Sequence, residues 1–69
     1  MKFNLDSFLV DLGDYCRHHK ISNAKLAEYL GVSRTHLSLV RNGRRNPSPL
    51  LVKSILNLMK RQYHDYRII

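Results

Sequence analysis

The sequence predicts an all-α domain of four or five short helices that occupies all 69 residues. Apolar residues recur at three- and four-residue intervals in several separate segments, which is the spacing of one face of an α-helix. Capping residues stand at the ends of these segments: Ser33 and Ser48 are good N-caps, and Gly31 suits a helix C-terminus. A chain of this length forms one small domain with little room for the walls of a catalytic cleft. An enzyme is therefore not expected.

The first predicted helix spans residues 5–19, with Asn4 as its N-cap and Asp6 near the positive end of its dipole. Its apolar stripe consists of Leu5, Phe8, Leu9, Leu12, Tyr15 and Cys16. Gly13 lies inside this helix, where glycine costs up to about 1 kcal/mol relative to alanine. Close packing or a bend would explain it. Residues 1–4 are expected to form a short extended arm.

Residues 23–43 predict two further short helices, 23–30 and 34–41, that meet at a tight corner. The apolar positions of both helices keep the spacing of one helical face; they are Leu26, Ala27, Leu30, Leu37 and Val40. Between the helices, Gly31 ends the first, Val32 places an apolar side chain at the corner and Ser33 caps the second. Asn42 and Gly43 then supply a stop. This ordered set is typical of a helix-turn-helix, whose second helix lies in the major groove of DNA.

At these residues the chain resembles the Cro and repressor type of helix-turn-helix domain from phages. The matching positions are Asn23, Leu26-Ala27, Leu30-Gly31-Val32-Ser33, Leu37-Ser38, Val40 and Asn42-Gly43. The resemblance implies a lambda-repressor-like fold over nearly the whole chain and a small regulator that binds double-stranded DNA. It implies base reading at Arg34, Thr35, Ser38 and Leu39, and phosphate contacts at or near Asn23, Ser33 and Asn42.

One departure from that family concerns an internal ion pair. Many members carry an acidic residue at the position of Arg41 and a basic residue at the position of Cys16. Neither partner is present here, so that pair cannot form. Cys16 is then expected to pack as an apolar group, and Arg41 to point outward toward phosphate.

The chemistry of helix 34–41 supports base reading. Arg34, in its first turn, can donate two parallel hydrogen bonds to O6 and N7 of guanine. Thr35 offers a hydroxyl or a methyl group, and Leu39 can contact a thymine methyl group.

The net charge of +7 lies entirely in residues 31–69, because the cationic and anionic residues of the first thirty cancel. A basic surface releases counterions when it neutralises phosphates, and Arg44 and Arg45 in the next loop are the expected phosphate clamp. A solvated basic face and a basic amphipathic membrane helix are the other interpretations of such charge. Because the positive charge begins at the corner between the two helices, DNA binding is the favoured interpretation.

The fourth helix is expected to begin at Pro49, with Ser48 as its cap, and to end near Lys60 or Tyr63. The tail, residues 62–69, is too apolar for a solvated end, so it either packs on the core or contacts a second copy. Its candidate dimer contacts are Tyr63, Tyr66, Ile68 and Ile69. One domain offers few base contacts, so the expected working form is a homodimer on a pseudo-palindromic operator.

Two other functions stay open at this point. The domain can be an excisionase-like or antitoxin-like DNA-binding factor, or a protein-interaction module that presents its basic face to an acidic partner. No cofactor is expected, and the four histidines lack the spacing of metal ligands. The single cysteine and the lack of a membrane span or signal peptide predict a cytoplasmic protein.

Overall fold

The computed structural model describes residues 2–68, and four α-helices account for most of them, so the all-α prediction is confirmed. A 3-10 turn and a two-stranded ribbon complete the fold. In chain order the elements are β1 (Lys2–Phe3), α1 (Leu5–His18), α2 (Asn23–Leu30), α3 (Arg34–Arg41), α4 (Pro49–Met59), the 3-10 turn (Tyr63–Tyr66) and β2 (Arg67–Ile68).

Each α-helix begins where a side-chain oxygen accepts a hydrogen bond from a backbone N–H of the first turn. The capping residues are Asn4 for α1, Ser22 for α2, Ser33 for α3 and Ser48 for α4. Such a cap stabilises a helix by about 1 kcal/mol. Three of these caps were predicted from the sequence. The fourth, Ser22, was missed, because Asn23 was taken as the start of α2 and its neighbour was placed in the connection.

The ends of the helices follow the same local rules. Gly31 closes α2 in the left-handed conformation at φ +73°, which any residue with a Cβ adopts at a cost. Helix α1 ends at His18, with His19 as its cap, and α4 ends at Met59 because Lys60 turns left-handed. The shorter of the two predicted ends for α4 is therefore confirmed.

The core lies between all four helices. Its fully buried side chains are Phe8, Leu12, Leu26, Leu37, Val40 and Ile55. Helices α2 and α3 contribute three of these residues, Leu26, Leu37 and Val40, and Ala27 of α2 is buried in the same core. Leu37 and Val40 are the only residues of α3 in this core, so one face of α3 stays free of it.

The tail folds back on the domain rather than extending from it. Tyr66 is only 4% exposed, its ring packs edge-on to Phe8, and its hydroxyl donates a hydrogen bond of 2.7 Å to Asp11. Strand β2 pairs antiparallel with β1, which turns the predicted N-terminal arm into a short ribbon. Of the two alternatives for the tail, packing on the core is confirmed for Tyr66, whereas Tyr63 and Ile68 stay exposed.

The structure gives no reason for the glycine inside α1. A Cβ added to Gly13 would meet only Nη2 of Arg41, at 3.9 Å, which is an ordinary van der Waals distance. The residue lies within a continuous helix and has no positive φ. The close packing that the sequence suggested is therefore not the explanation.

Candidate nucleic-acid interface

The candidate interface is the outward face of α3. Arg34 and Thr35, in the first turn of that helix, are exposed, and Ser38 and Leu39 one turn later are half-buried. All four lie on the side of α3 that the core leaves free. The four predicted base-reading residues therefore share one helical face, with the most exposed pair at its N-terminal end.

An amide bridge joins this helix to α2. Nδ2 of Asn23 donates a hydrogen bond of 3.1 Å to Oγ of Ser38. Oδ1 of Asn23 accepts a hydrogen bond of 3.1 Å from Nη1 of Arg41. One amide group thus holds two residues that lie three positions apart on α3. We call Asn23, Ser38 and Arg41, with these two bonds, the amide bridge.

The expectation that Arg41 points outward is wrong. Its side chain is half-buried, its guanidinium bonds to Asn23, and its Nη2 lies over α1 near Gly13. It also faces Cys16: burial raises the pKa of that thiol, and the charge of Arg41 offsets part of the rise. Arg41 therefore occupies the space where the family's internal ion pair would lie, and it links α3 to both α1 and α2.

The amide bridge changes the interpretation of Asn23 as well. Its side-chain oxygen and one of its two amide N–H groups are used within the chain, so a phosphate contact would use the second amide N–H or the backbone N–H. In the first turn of α2, the N–H groups of Lys25 and Leu26 are bonded to Ser22. Within residues 2–68, those of Asn23 and Ala24 have no hydrogen-bond partner. Free amides at a helix N-terminus attract anions.

Two exposed arginines follow α3 in the loop. Gly43, at φ +74°, turns the chain, and the N–H of Arg44 bonds back to the carbonyl of Leu39 at 2.9 Å. Nη1 of Arg45 lies 3.4 Å from Nδ1 of His36, which places that guanidinium beside α3. We call the outward face of α3 formed by Arg34, Thr35, Ser38 and Leu39 the reading face, and cationic side chains thus lie on it and beside it.

This positive charge is not neutralised within the described part of the chain. From position 31 onward the sequence has a single carboxylate, Asp65. That carboxylate accepts a hydrogen bond from the N–H of Gln62 and lies 3.7 Å from Nε2 of His64. In residues 2–68, no ion pair involves Arg34, Arg41, Arg44 or Arg45. The surface around α3 is therefore strongly positive, as phosphate binding requires.

The two remaining predicted phosphate contacts border α3. Ser33 is exposed and its oxygen caps the helix, which leaves its own O–H free to donate. Asn42 is exposed at the other end as the C-cap.

Neither a metal centre nor a membrane-spanning helix is seen among residues 2–68. Among residues 2–68, no three side chains of the His, Cys, Asp and Glu types converge in a way that would hold a metal ion. Within the same residues, no helix is both long and apolar enough to cross a membrane.

The sequence predicted that Arg34, Thr35, Ser38 and Leu39 share the outward face of α3, but it did not predict the amide bridge. Spacing along a helix shows which residues share a face, but it does not show which polar side chains meet across two helices. The only signal available was the missing ion pair at positions 16 and 41, which left a cation without its usual partner.

Comparison with known protein families supports this geometry. A family model described as helix-turn-helix matches residues 12–63, about three quarters of the chain. The match runs from the middle of α1 into the 3-10 turn and includes the whole of α2, α3 and α4. The chain matches no curated protein and no solved structure.

Proposed function

Since the chain belongs to the Cro/repressor-type family of helix-turn-helix DNA-binding domains, we propose that it is a small transcriptional regulator. It reads the major groove of double-stranded DNA with α3. The observation that carries this proposal is the reading face itself. Arg34 and Thr35 are exposed in the first turn of a helix that is anchored by two buried residues and by the amide bridge. The first turn of a recognition helix makes the closest approach to base edges.

Each residue of the reading face has a distinct role. Arg34 donates to O6 and N7 of guanine, and Thr35 contacts thymine or donates its hydroxyl. The oxygen of Ser38 already accepts a bond from Asn23, so its own O–H is free to donate to a base. Leu39 contacts a thymine methyl group.

Phosphate contacts hold this face in register. Arg44 and Arg45 clamp the backbone beyond α3, while Ser33 and Asn42 donate from its two ends. The free N–H groups at the start of α2 take a further phosphate, which is the role we assign to Asn23.

The working form is a homodimer on a pseudo-palindromic operator, because a two-fold dimer doubles the few base contacts of one domain. Of the predicted dimer contacts, Tyr66 is buried in its own chain and Ile69 lies outside the described residues. Tyr63 is 54% exposed but stacks on Phe3 of its own chain, so the contact is assigned to Ile68, which is 46% exposed. The protein acts in the cytoplasm, where its lone cysteine stays reduced.

The test is selection of bound sites from a pool of randomised duplexes, followed by titration of the enriched site at several salt concentrations. We expect a two-fold symmetric site and a steep fall of affinity with salt. Arg34→Ala should cost about 1–3 kcal/mol at the selected site and relax preference at one or two base pairs. Arg44→Ala is the matched control, because it should weaken binding to all sequences alike.

The outcomes separate the proposed function from its alternatives. Binding without sequence preference would contradict the reading role of α3 and leave an architectural function. A lack of binding at moderate salt would favour the protein-interaction module. A sequence-specific site that lies within a recombination site or beside a toxin gene would favour the excisionase-like or antitoxin-like factor.

A further inference from the structure

A second surface of the protein is an apolar groove of about 760 Å³ along the outer side of α4. We call it the α4 groove. Its apolar walls come from three parts of the chain: β1 and the start of α1, α4, and the 3-10 turn. The residues that matter here are Phe3, Leu5, Pro49, Val52, Leu56 and Tyr63. None of the residues assigned to DNA lines the groove.

The shape of the α4 groove suits a helical segment. Pro49, Val52 and Leu56 lie three and four residues apart, so they form one continuous ridge along α4. Opposite this ridge, Phe3 and Tyr63 stack with their ring centroids 4.9 Å apart. A helix laid in such a groove is a recurrent mode of peptide recognition, with apolar anchors at the same spacing.

The rim of the α4 groove is positively charged. Lys53 and Arg61 line it and are both exposed. Among the described residues, no carboxylate lines it. Asp6 directly follows Leu5 but does not line the groove, and Asp65, two residues after Tyr63, is held by the N–H of Gln62. An occupant that carries carboxylates beside its apolar anchors would therefore match both the walls and the rim.

Other occupants fit less well. The phosphate backbone of DNA is recognised by polar donors, whereas these walls are apolar and aromatic. A second copy docked by two-fold symmetry would bring the same cations, Lys53 and Arg61, from both copies into one interface without an anion between them. Docking of the acidic residues of α1 from another copy would be head-to-tail, which generates open chains rather than a closed dimer.

We propose that the α4 groove binds an amphipathic, acidic segment of another protein. The apolar side chains of that segment enter between α4 and Tyr63, and its carboxylates meet Lys53 and Arg61. The groove is separate from the reading face, so the partner and DNA can bind at the same time. This interaction does not depend on the proposed regulatory function, and DNA binding is measured independently of it.

The test is selection of binders from a displayed library of random peptides, carried out on the full chain with saturating duplex DNA present. The duplex occupies the reading face and its arginines, so acidic peptides are not captured there. An enriched peptide is then titrated by fluorescence anisotropy against the wild type, against Lys53→Glu and against Lys25→Glu. Lys25 is an exposed cation on α2 outside the groove, so its variant is a control with the same change of charge.

We expect enriched peptides that combine apolar residues at helical spacing with Asp or Glu. Lys53→Glu should weaken them by about tenfold or more, and Lys25→Glu should leave their affinity unchanged. Lys53→Glu should also keep the wild-type affinity for duplex DNA, whereas Lys25→Glu, beside the free N–H groups at the start of α2, is a control for peptide binding alone. The proposal is overturned by a lack of enrichment, by equal losses in the two variants, or by enriched peptides without acidic residues. It is also overturned if Lys53→Glu converts a dimer to a monomer in sedimentation, since the occupant would then be a second copy.

Discussion

Replacement of Arg41 by alanine tests whether this arginine positions the recognition helix or contacts phosphate. Its guanidinium bonds to Asn23 at 3.1 Å and lies over α1 near Gly13, so the structure makes it a strut between three helices. A hydrogen bond to a charged group contributes about 1.5–3 kcal/mol when well buried. Arg41 is only half-buried, so we expect Arg41→Ala to lower the free energy of unfolding by about 1–2 kcal/mol.

That loss is measurable in a domain of this size. A 69-residue domain is stable by about 3–10 kcal/mol in total. A change of 1–2 kcal/mol would lower its melting temperature by roughly 7–14 °C. The variant should remain folded at 25 °C, so its DNA binding can be measured. Circular dichroism followed through thermal and urea unfolding gives the stability.

The salt dependence of DNA binding distinguishes the two roles. A side chain that neutralises a phosphate contributes about 0.9 to the slope of the logarithm of affinity against the logarithm of salt concentration. We expect Arg41→Ala to weaken binding equally at every salt concentration and to leave this slope unchanged. Arg44→Ala, in the exposed loop, should reduce the slope by about one and leave stability within about 0.5 kcal/mol of the wild type.

A double-mutant cycle with Asn23→Ala identifies the partner of Arg41. If the two residues stabilise the fold through their shared bond, the double variant should be more stable than the sum of the two losses predicts, by about 0.5–2 kcal/mol. Additive losses would refute the strut. So would an Arg41→Ala variant with the stability of the wild type and a smaller salt slope, since that is the behaviour of a phosphate contact.

Three further predictions concern the fold and the assembly. Burial and the hydrogen bond to Asp11 raise the pKa of Tyr66 to about 12, so the folded state loses roughly 2 kcal/mol of stability as the pH rises from 10 to 12. Urea unfolding at about pH 8 and about pH 11.5 measures this loss, and Tyr66→Phe should abolish it. An equal loss in both proteins would contradict the prediction. Gly13→Ala should raise the free energy of unfolding by up to about 1 kcal/mol, because the added Cβ meets only the flexible end of Arg41; a destabilised variant would show a packing constraint that the structure lacks. Ile68→Asp should convert the proposed dimer to a monomer in sedimentation equilibrium. Val10→Asp, at another exposed apolar side chain, is the control and should leave the dimer intact. Identical behaviour of the two variants would remove Ile68 from the dimer contact.

The sequence predicts those parts of this fold whose signals are local. Helix α3 was placed at its correct bounds because Ser33 caps it within three residues and Leu37 and Val40 mark its buried face. The start of α4 was placed correctly for the same reason, because Ser48 and Pro49 stand side by side, but its end was left open between Lys60 and Tyr63. Each of these signals depends on residues within one turn of each other.

The position of the tail was not predictable in the same way. Tyr66 is buried because its ring meets Phe8 and its hydroxyl meets Asp11, residues from the opposite end of the chain. The ribbon between β1 and β2 likewise joins two strands of two residues each, which are too short for a recognisable alternation. An apolar tail indicates burial, but the sequence does not say whether its own chain or a second copy covers it.

The predicted direction of the Arg41 side chain was wrong for a related reason: its partner Asn23 lies on another helix. The amide bridge formed by this contact matters for function because it orients α3. Leu37 and Val40 hold α3 against the core but do not by themselves fix its rotation about its own axis. Asn23 supplies one donor and one acceptor to two residues on the same flank of α3, so rotation in either direction breaks one of the bonds. A helix of eight residues has little stability of its own, and its orientation must come from such contacts. Asn23→Ala should therefore weaken recognition at all base positions together, whereas Arg34→Ala weakens it at one or two.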